Sequence, residues 1–183
     1  QLSLTTKIRN LGAEWPTVAN SLDNVAELYR IMGEYEDALA LKKEALSIRK
    51  SVLGLEHTDT ATSYNNIGLV LQNMGRLTHA KPYFKKAVKT YEAVSSKDTT
   101  NMAAMLNNLA GSYRFQGKLD KAEALYQRSL TMRTRVLGPK RPAVAESLNN
   151  LAMVLKDAGK FEEAEEMSTR CLELAKLLME PDR

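Results

Sequence analysis

The chain has 183 residues, of which 44% are hydrophobic and 26% are charged, so it can bury a core and is not disordered in bulk. The formal net charge is +4, but acids and bases alternate along the whole length, which argues against a basic face for nucleic acid. A single cysteine excludes an internal disulfide framework, and no run of about 18 apolar residues predicts a membrane span. We therefore expect a soluble protein of the reducing cytoplasm, with neither nucleic acid nor membrane as a partner.

A period of 42 residues organises the sequence. Four glycines follow it, at Gly33, Gly75, Gly117 and Gly159. Columns of alanine and asparagine, beginning at Ala19 and Asn24, keep the same spacing. The segments LDNVAELY, YNNIGLVL, LNNLAGSY and LNNLAMVL fall in register without a gap. So many columns in one register indicate tandem structural repeats.

The period predicts four units, at residues 16–57, 58–99, 100–141 and 142–183. Residues 1–15 match the end of such a unit, so we expect them to form the second helix and the link of a preceding repeat. One unit cannot bury its own apolar stripe, so neighbouring units must stack. We expect the sequence to be part of a longer array.

Each unit predicts two helices. The first helix of the first unit has apolar residues at the i, i+3, i+4, i+7 spacing of a buried stripe: Leu22, Val25, Ala26 and Tyr29. Gly33 ends this helix, because glycine readily takes the positive φ of a sharp turn. The second helix is predicted from about Tyr35 to Leu53, with Ala38, Leu41, Ala45, Leu46 and Val52 facing inward.

Other columns complete the predicted pattern. Small residues mark the place where the two helices of a unit cross closely: Ala26, Gly68, Ala110 and Ala152. Three aromatic residues, Tyr29, Tyr113 and Phe161, stand at core spacing, whereas Phe115 does not. Pro16 and Pro142 open first helices, where a proline costs no hydrogen bond.

The pattern of Ala, Asn-Leu-Ala or Asn-Leu-Gly, Tyr, Gly-x-Tyr, Ala and Ala-Leu resembles the tetratricopeptide repeat. The usual repeat has about 34 residues. The longer form seen here, with LYQRSLTMRTRVLGPKRPAVAESLNNLA, is similar to the repeats of kinesin light chains and nephrocystin-like proteins. The resemblance implies an all-α, right-handed α-solenoid of tandem helix–turn–helix repeats. It also implies a protein-binding scaffold rather than an enzyme, in which the first helices line a concave groove.

The helical period predicts which residues of the first helices face away from the core. In the first unit these are Asn20, Asp23, Glu27 and Arg30, and the equivalent positions of the later units follow at the same period. With their neighbours they give the candidate peptide-binding residues Asn65, Asn66, Leu69, Arg76, Asn107, Asn108, Arg114, Phe115, Lys118, Asn149, Asn150, Met153 and Lys156.

Asparagine dominates this face in two columns. An amide offers both a donor and an acceptor, so it can pair with the backbone of an extended peptide. We assign the outer column, Asn65, Asn107 and Asn149, to ligand binding. The inner column, Asn24, Asn66, Asn108 and Asn150, either binds ligand or fixes the stacking of neighbouring helices.

Charge on the predicted groove face changes along the chain. The first unit offers Asp23, Glu27 and Glu34 against Arg30, and the later units are locally basic. Like charges on a concave surface add up. We therefore predict that an extended acidic segment lies over the last three units, with an apolar side chain near Leu69, Phe115 or Met153.

No catalytic, cofactor or metal site is predicted. His57, His79 and Cys171 share no ligand spacing, and Cys171 stands in the column of Ala45 as a small filler. Two functions stay open. The first is a peptide-binding adaptor. The second is an architectural array that packs against other domains of its own chain or associates end to end with other copies.

Overall fold

The computed structural model describes residues 15–179, which form eight helices and no strand within that range. The helices are α1 (Trp15–Met32), α2 (Tyr35–Val52), α3 (Thr58–Asn73), α4 (Leu77–Val94), α5 (Thr100–Phe115), α6 (Leu119–Leu137), α7 (Pro142–Asp157) and α8 (Phe161–Met179). Helices of odd number are the predicted first helices, and those of even number are the second. The predicted all-α fold of tandem helix–turn–helix repeats is confirmed. The expected end of a preceding repeat falls on residues 1–14, outside the described residues, apart from Trp15, which begins α1.

A glycine closes each first helix, as predicted. Gly33, Gly75, Gly117 and Gly159 all have φ between 70° and 83°. This left-handed conformation is strained for a residue with a Cβ, so only glycine takes it readily. The amide two residues after the first helix then bonds back into it: Glu34 N–H donates to the carbonyl of Tyr29 at 2.9 Å. The turn is therefore short, and the second helix packs directly against the first.

The starts of the first helices use different devices. Pro142 is at the first position of α7, as predicted. The imidazole Nδ1 of His57 accepts a hydrogen bond from the amide of Asp59 at 3.1 Å, and the hydroxyl of Thr99 accepts one from Met102 at 3.1 Å. Both satisfy amides that the helix itself leaves unpaired. His57 is thus a helix cap.

The described chain divides into two compact units that are larger than single repeats, with the boundary between Ser96 and Lys97. The first unit holds α1 to α4, and the second unit holds α5 to α8. In the first unit, α1 pairs with α2 and α3 pairs with α4, and α2 also packs on α3. Gly68 and Phe84 show how tightly α3 and α4 cross. Both are buried, and a Cβ added to Gly68 would lie 2.5 Å from Cε1 of the ring. The small residue predicted at this crossing is therefore required by the ring opposite.

In the second unit, α5 pairs with α6, α7 pairs with α8, and α6 also packs on α7. One buried cluster joins these helices. It includes Tyr126 and Leu130 on α6 together with Leu148 and Leu151 on α7. Burial raises the pKa of the Tyr126 hydroxyl. Apolar surface is thus buried between successive hairpins as well as within each hairpin.

Two buried arginines also join successive hairpins, and the apolar periodicity of the sequence does not predict their burial. Arg49 on α2 donates to the Ser63 hydroxyl on α3 at 2.6 Å. Its equivalent two repeats later, Arg133 on α6, donates to the Ser147 hydroxyl on α7 at 3.0 Å. The signal in the sequence is the spacing of 84 residues between both arginines and between both serines.

Three residues predicted to be buried are exposed. Val25 is 45% exposed, whereas its equivalents Ile67 and Leu151 are buried. Val25 lies on the first described helix, where no described hairpin precedes it to cover that face. Val52 ends α2 and points outward, and Phe161, on the last described helix, is 65% exposed. The predicted stripes assumed a neighbour on both sides of every hairpin, and the two end hairpins, which carry Val25 and Phe161, lack one among the described residues. Val52 is different, because the valines 42 and 84 positions later are exposed too, so this position lies off the buried face in every such hairpin.

Candidate binding surface

The first unit places its predicted contact residues at very different depths. Arg76 is exposed, and Asn66 and Leu69 are half-buried. Asn65 is buried, with only 8% of its surface exposed. The expectation that Asn65 faces away from the core is therefore wrong. Eight of the 16 residues of α3 are buried, Asn65 among them, because an internal helix packs against more than one neighbour. A single buried stripe cannot describe such a helix.

Asp23 likewise turns toward its own unit. Its carboxylate lies 2.9 Å from Nζ of Lys42 and 2.5 Å from the guanidinium of Arg49. Both cations lie on α2, and all three side chains are at most 15% exposed. The negative charge that the sequence assigned to the groove is therefore balanced within the fold.

Glu27 is balanced as well, by a neighbour one turn away. Its carboxylate accepts a hydrogen bond from the Arg30 guanidinium at 2.6 Å. That bond lowers the pKa of Glu27 and raises the pKa of Arg30. The local acidity predicted for the first repeat is thus largely cancelled by ion pairs.

The second unit pairs the two asparagine columns with each other. Asn150 of the inner column, on α7, donates to Oδ1 of Asn107 of the outer column, on α5, at 2.9 Å. Asn107 in turn donates to the Glu146 carboxylate at 3.5 Å. The Asn107 amide therefore links α5 to α7, and both of its polar atoms are engaged. The inner column takes part in stacking here, and Asn108 is half-buried and also has an interaction partner.

Ion pairs between successive hairpins engage part of the predicted basic face. Arg114 on α5 lies 2.6 Å from the Asp157 carboxylate at the end of α7, and Lys160 lies 2.9 Å from Glu123 on α6. Its hydrogen bond to Glu123 raises the pKa of Lys160. In the first unit, Arg76 lies 3.3 Å from Glu36, with both side chains exposed. These three cations have less charge to offer a ligand than the sequence alone indicates.

The remaining predicted residues of the second unit are accessible. Lys118, Asn149 and Lys156 are exposed, Phe115 is 63% exposed and Met153 is 36% exposed. Asn149, Met153 and Lys156 also line a pocket of about 390 Å³ with Phe161 and Glu165 of α8. The structure thus brings an amide, an apolar side chain and a cation together on the outer side of the last described hairpin.

Cys171 has a structural role in the helix packing of the last described hairpin. The Cys171 thiol is half-buried and donates to the carbonyl of Ala145 at 3.3 Å, as the Ser129 hydroxyl does to Ala103 at 2.8 Å. Within residues 15–179, no three His, Cys, Asp or Glu side chains gather to hold a metal ion. None of the eight described helices combines the length and the apolar character that a membrane crossing requires.

Paired helices of 16 to 19 residues, glycine turns and stacked hairpins define a repeat protein of the helical-hairpin class. The family model of the tetratricopeptide repeat matches residues 8–93 and 101–176. The chain belongs to the tetratricopeptide repeat family. Repeats of this family typically form non-catalytic scaffolds for protein–protein interaction.

Solved structures show the same fold at low sequence identity. BtubC (BKLC) from P. vanneervenii is 23% identical over 87% of this chain, with a TM-score of 0.78, and this chain spans 64% of its length. Repeats of a putative kinesin light chain from Podosopora anserina are 20% identical, with a TM-score of 0.69, covering 86% of this chain and 74% of that one. A second structure of those repeats gives a TM-score of 0.73 at 20% identity, over 91% and 78% of the two chains.

These identities show a shared fold, and the resemblance to kinesin light chain repeats is confirmed at that level. Among curated proteins, none matches the chain significantly.

Proposed function

We propose that this chain is a non-catalytic, cytoplasmic interaction scaffold that binds an extended acidic segment of a partner protein. The segment lies along the first helices of the second unit, α5 and α7. The observation that supports this proposal most directly is that apolar and basic side chains are exposed together on these helices and in the turn after α5. It combines exposed apolar side chains, Phe115 and Met153, with exposed cations, Lys118 and Lys156.

The ion pairs within the second unit indicate that the lysines, rather than Arg114, are available to bind an acidic ligand. Arg114 is held by Asp157, whereas Lys118 and Lys156 have no ion-pair partner within residues 15–179. A partner's carboxylates would therefore meet these two lysines first. Exposed ion pairs contribute about 0–1 kcal/mol each, so the affinity should be modest and sensitive to salt.

The apolar residues supply the rest of the binding energy. Met153 and Lys156 line one pocket, so an apolar side chain of the segment can contact Met153 while Lys156 pairs with an adjacent acidic residue. The amide of Asn149 is the one outer-column amide that is exposed among the described residues, so it remains a candidate for the segment's backbone. Asn65 and Asn107 contribute to packing in this proposal.

The test uses the full chain and two fluorescein-labelled peptides of about a dozen residues. One is built of Asp, Glu and Leu, and the other has Asn and Gln in place of the acids. Fluorescence anisotropy should show binding of the acidic peptide alone, weaker at high salt because screening shortens the reach of the charges. The double variant Lys118→Glu, Lys156→Glu should bind roughly tenfold more weakly, since two exposed contacts become repulsive.

A matched control reverses two exposed lysines outside the predicted face, Lys89→Glu on α4 and Lys176→Glu on α8. It has the same net charge as the test variant and should bind nearly as the wild type does. Equal losses in both variants would show that only the overall charge matters, which contradicts a local site.

An architectural array is the second candidate, and a specific observation favours it. The Asn107–Asn150 pair and the burial of Asn65 show that much of the asparagine face serves packing. If neither peptide binds at any salt concentration, the architectural reading replaces the peptide-binding one.

A further inference from the structure

Met153 is the exposed thioether of the candidate binding surface. All eight methionines of the chain lie among the described residues, and four of them are buried: Met102, Met105, Met132 and Met167. Met32, Met74 and Met179 are exposed or half-buried, but each lies at the end of a helix outside this surface. On α5 and α7, Met153 is therefore the one methionine whose sulfur a small oxidant in solution can reach.

The exposure of Met153 does not depend on its place in the last described hairpin. Gly111 is the equivalent residue of the preceding hairpin, on which α7 packs. Gly111 is half-buried rather than buried, so a neighbouring hairpin does not seal this position of a first helix. The residues on either side of Met153, Ala152 and Val154, are buried and hold the backbone in place.

The sulfur of Met153 has a polar neighbour. Nδ2 of Asn149, one helical turn earlier, donates a hydrogen bond to Sδ of Met153 at 3.6 Å. A thioether sulfur is a weak acceptor, so this bond holds the amide only loosely and a better acceptor on a ligand can replace it. Asn149 is also the exposed amide assigned above to the backbone of the bound segment. The chemical state of the sulfur therefore decides how firmly this amide is held.

Two-electron oxidation turns the thioether into a strong acceptor. Hydrogen peroxide transfers one oxygen atom to the sulfur: an S–O bond forms, the O–O bond breaks, and water leaves. The sulfur gives up the two electrons that reduce the peroxide. The product, methionine sulfoxide, is a polar side chain whose oxygen carries a negative partial charge. This oxygen is attached to the atom that already accepts from Asn149, so it lies within reach of the same N–H group.

We propose that Met153 is a reversible oxidation site that weakens ligand binding at this surface, an inference that rests on the function proposed above. In the sulfoxide, the Asn149 amide donates to the new oxygen and is withdrawn from the segment. The apolar contact of Met153 with a leucine of the segment is lost as well, because a polar oxygen lies at the contact. Methionine sulfoxide reductases restore the thioether: a dithiol is oxidised to a disulfide, and the oxygen leaves as water.

The test measures the dissociation constant of the fluorescein-labelled acidic peptide before and after the full chain is treated with hydrogen peroxide. Dithiothreitol added afterwards reverses disulfides and sulfenic acids but leaves sulfoxides, so it removes any contribution of Cys171. The oxidised wild type should bind the peptide roughly three- to tenfold more weakly. The two reductases, which act on opposite epimers of the sulfoxide, should together restore the original affinity.

Two variants assign the effect to one sulfur. The triple variant Met32→Leu, Met74→Leu, Met179→Leu retains Met153 as the one accessible methionine of the described residues, and it should show the full loss. In Met153→Leu, the ratio of the oxidised to the untreated dissociation constant should be close to one, whatever the starting affinity. A ratio as large as that of the wild type would overturn the proposal, since another group would then cause the loss.

The Asn149 amide provides a readout that needs no peptide. In the isotope-labelled chain, its side-chain NH₂ resonances are assigned by their absence in Asn149→Ala. One of them should move downfield on oxidation, because the N–H group then donates to the sulfoxide oxygen; unchanged resonances would refute the capture of the amide. The binding results separate the two proposals. If the untreated chain binds no acidic peptide, the proposed function fails and the switch with it, whereas binding that survives oxidation refutes the switch alone.

Discussion

Replacing Gly68 by alanine tests the packing of the first unit most directly. Gly68 lies within α3, where glycine is normally unfavourable by about 1 kcal/mol relative to alanine. On helix propensity alone, Gly68→Ala should stabilise the protein. The structure predicts the opposite sign, because the new methyl group would lie 2.5, 2.7 and 2.9 Å from three atoms of the Phe84 ring.

The magnitude follows from the two opposing effects. Phe84 is completely buried, so its ring cannot move aside without displacing other core residues. Overpacking of this kind costs about 1–3 kcal/mol, and contacts below 3 Å with a confined ring place this site in the upper half of that range. After the gain of about 1 kcal/mol in helix propensity, we expect a net loss of about 1–2 kcal/mol.

Gly111 is a matched control, since it lies in the equivalent first helix α5. A methyl group there would lie 3.4 Å from the Tyr126 hydroxyl, which is ordinary contact. Gly111→Ala should therefore be stabilised by up to about 1 kcal/mol. Urea unfolding followed by circular dichroism measures both variants. Gly68→Ala should cost much less in a Phe84→Leu background than in the wild type, because the smaller side chain leaves room for the new methyl group. If Gly68→Ala is as stable as the wild type, the crossing is looser than the structure shows and the reasoning fails.

Three further predictions concern polar groups. Asp23→Ala should cost about 2–3 kcal/mol in urea unfolding, because it strands the nearly buried Lys42 and Arg49, whereas Glu36→Ala, at the exposed Arg76 pair, should cost less than about 1 kcal/mol. Asn150→Ala should cost about 0.5–1.5 kcal/mol by breaking the bond to Asn107, and the exposed Asn149→Ala should stay within about 0.5 kcal/mol of the wild type; equal effects would contradict the stacking role. Burial raises the pKa of Tyr126 above its unfolded value of about 10, so its contribution to stability is complete below about pH 10 and is lost as the pH rises further. Thermal melts between about pH 8 and 11 should show a steeper alkaline loss in the wild type than in Tyr126→Phe.

The sequence predicts where the candidate residues lie on their helices better than it predicts whether they are exposed or packed against a neighbour. Phe115, Met153 and Lys156 are exposed as expected, since each lies off the apolar stripe of its helix. Asn65 and Asp23 were assigned to the same outer face, but they turn toward the protein interior. Their position on the helix is set by the period. Whether a neighbour covers that position depends on how the next hairpin packs, and the period of one helix carries no information about it.

The sequence by itself determined the repeat, the paired helices and the turns, because these depend on local rules. The period of 42 residues, the apolar spacing and the positive-φ glycines each act within one hairpin. Only the tertiary structure decided which polar residues serve stacking and which remain accessible. Asn107 and Asn149 occupy equivalent positions in the sequence, yet one is bonded to Asn150 of the next hairpin and the other is exposed. The difference arises because a hydrogen bond between hairpins needs a partner from a distant segment, and that partner is brought into reach only when the hairpins stack.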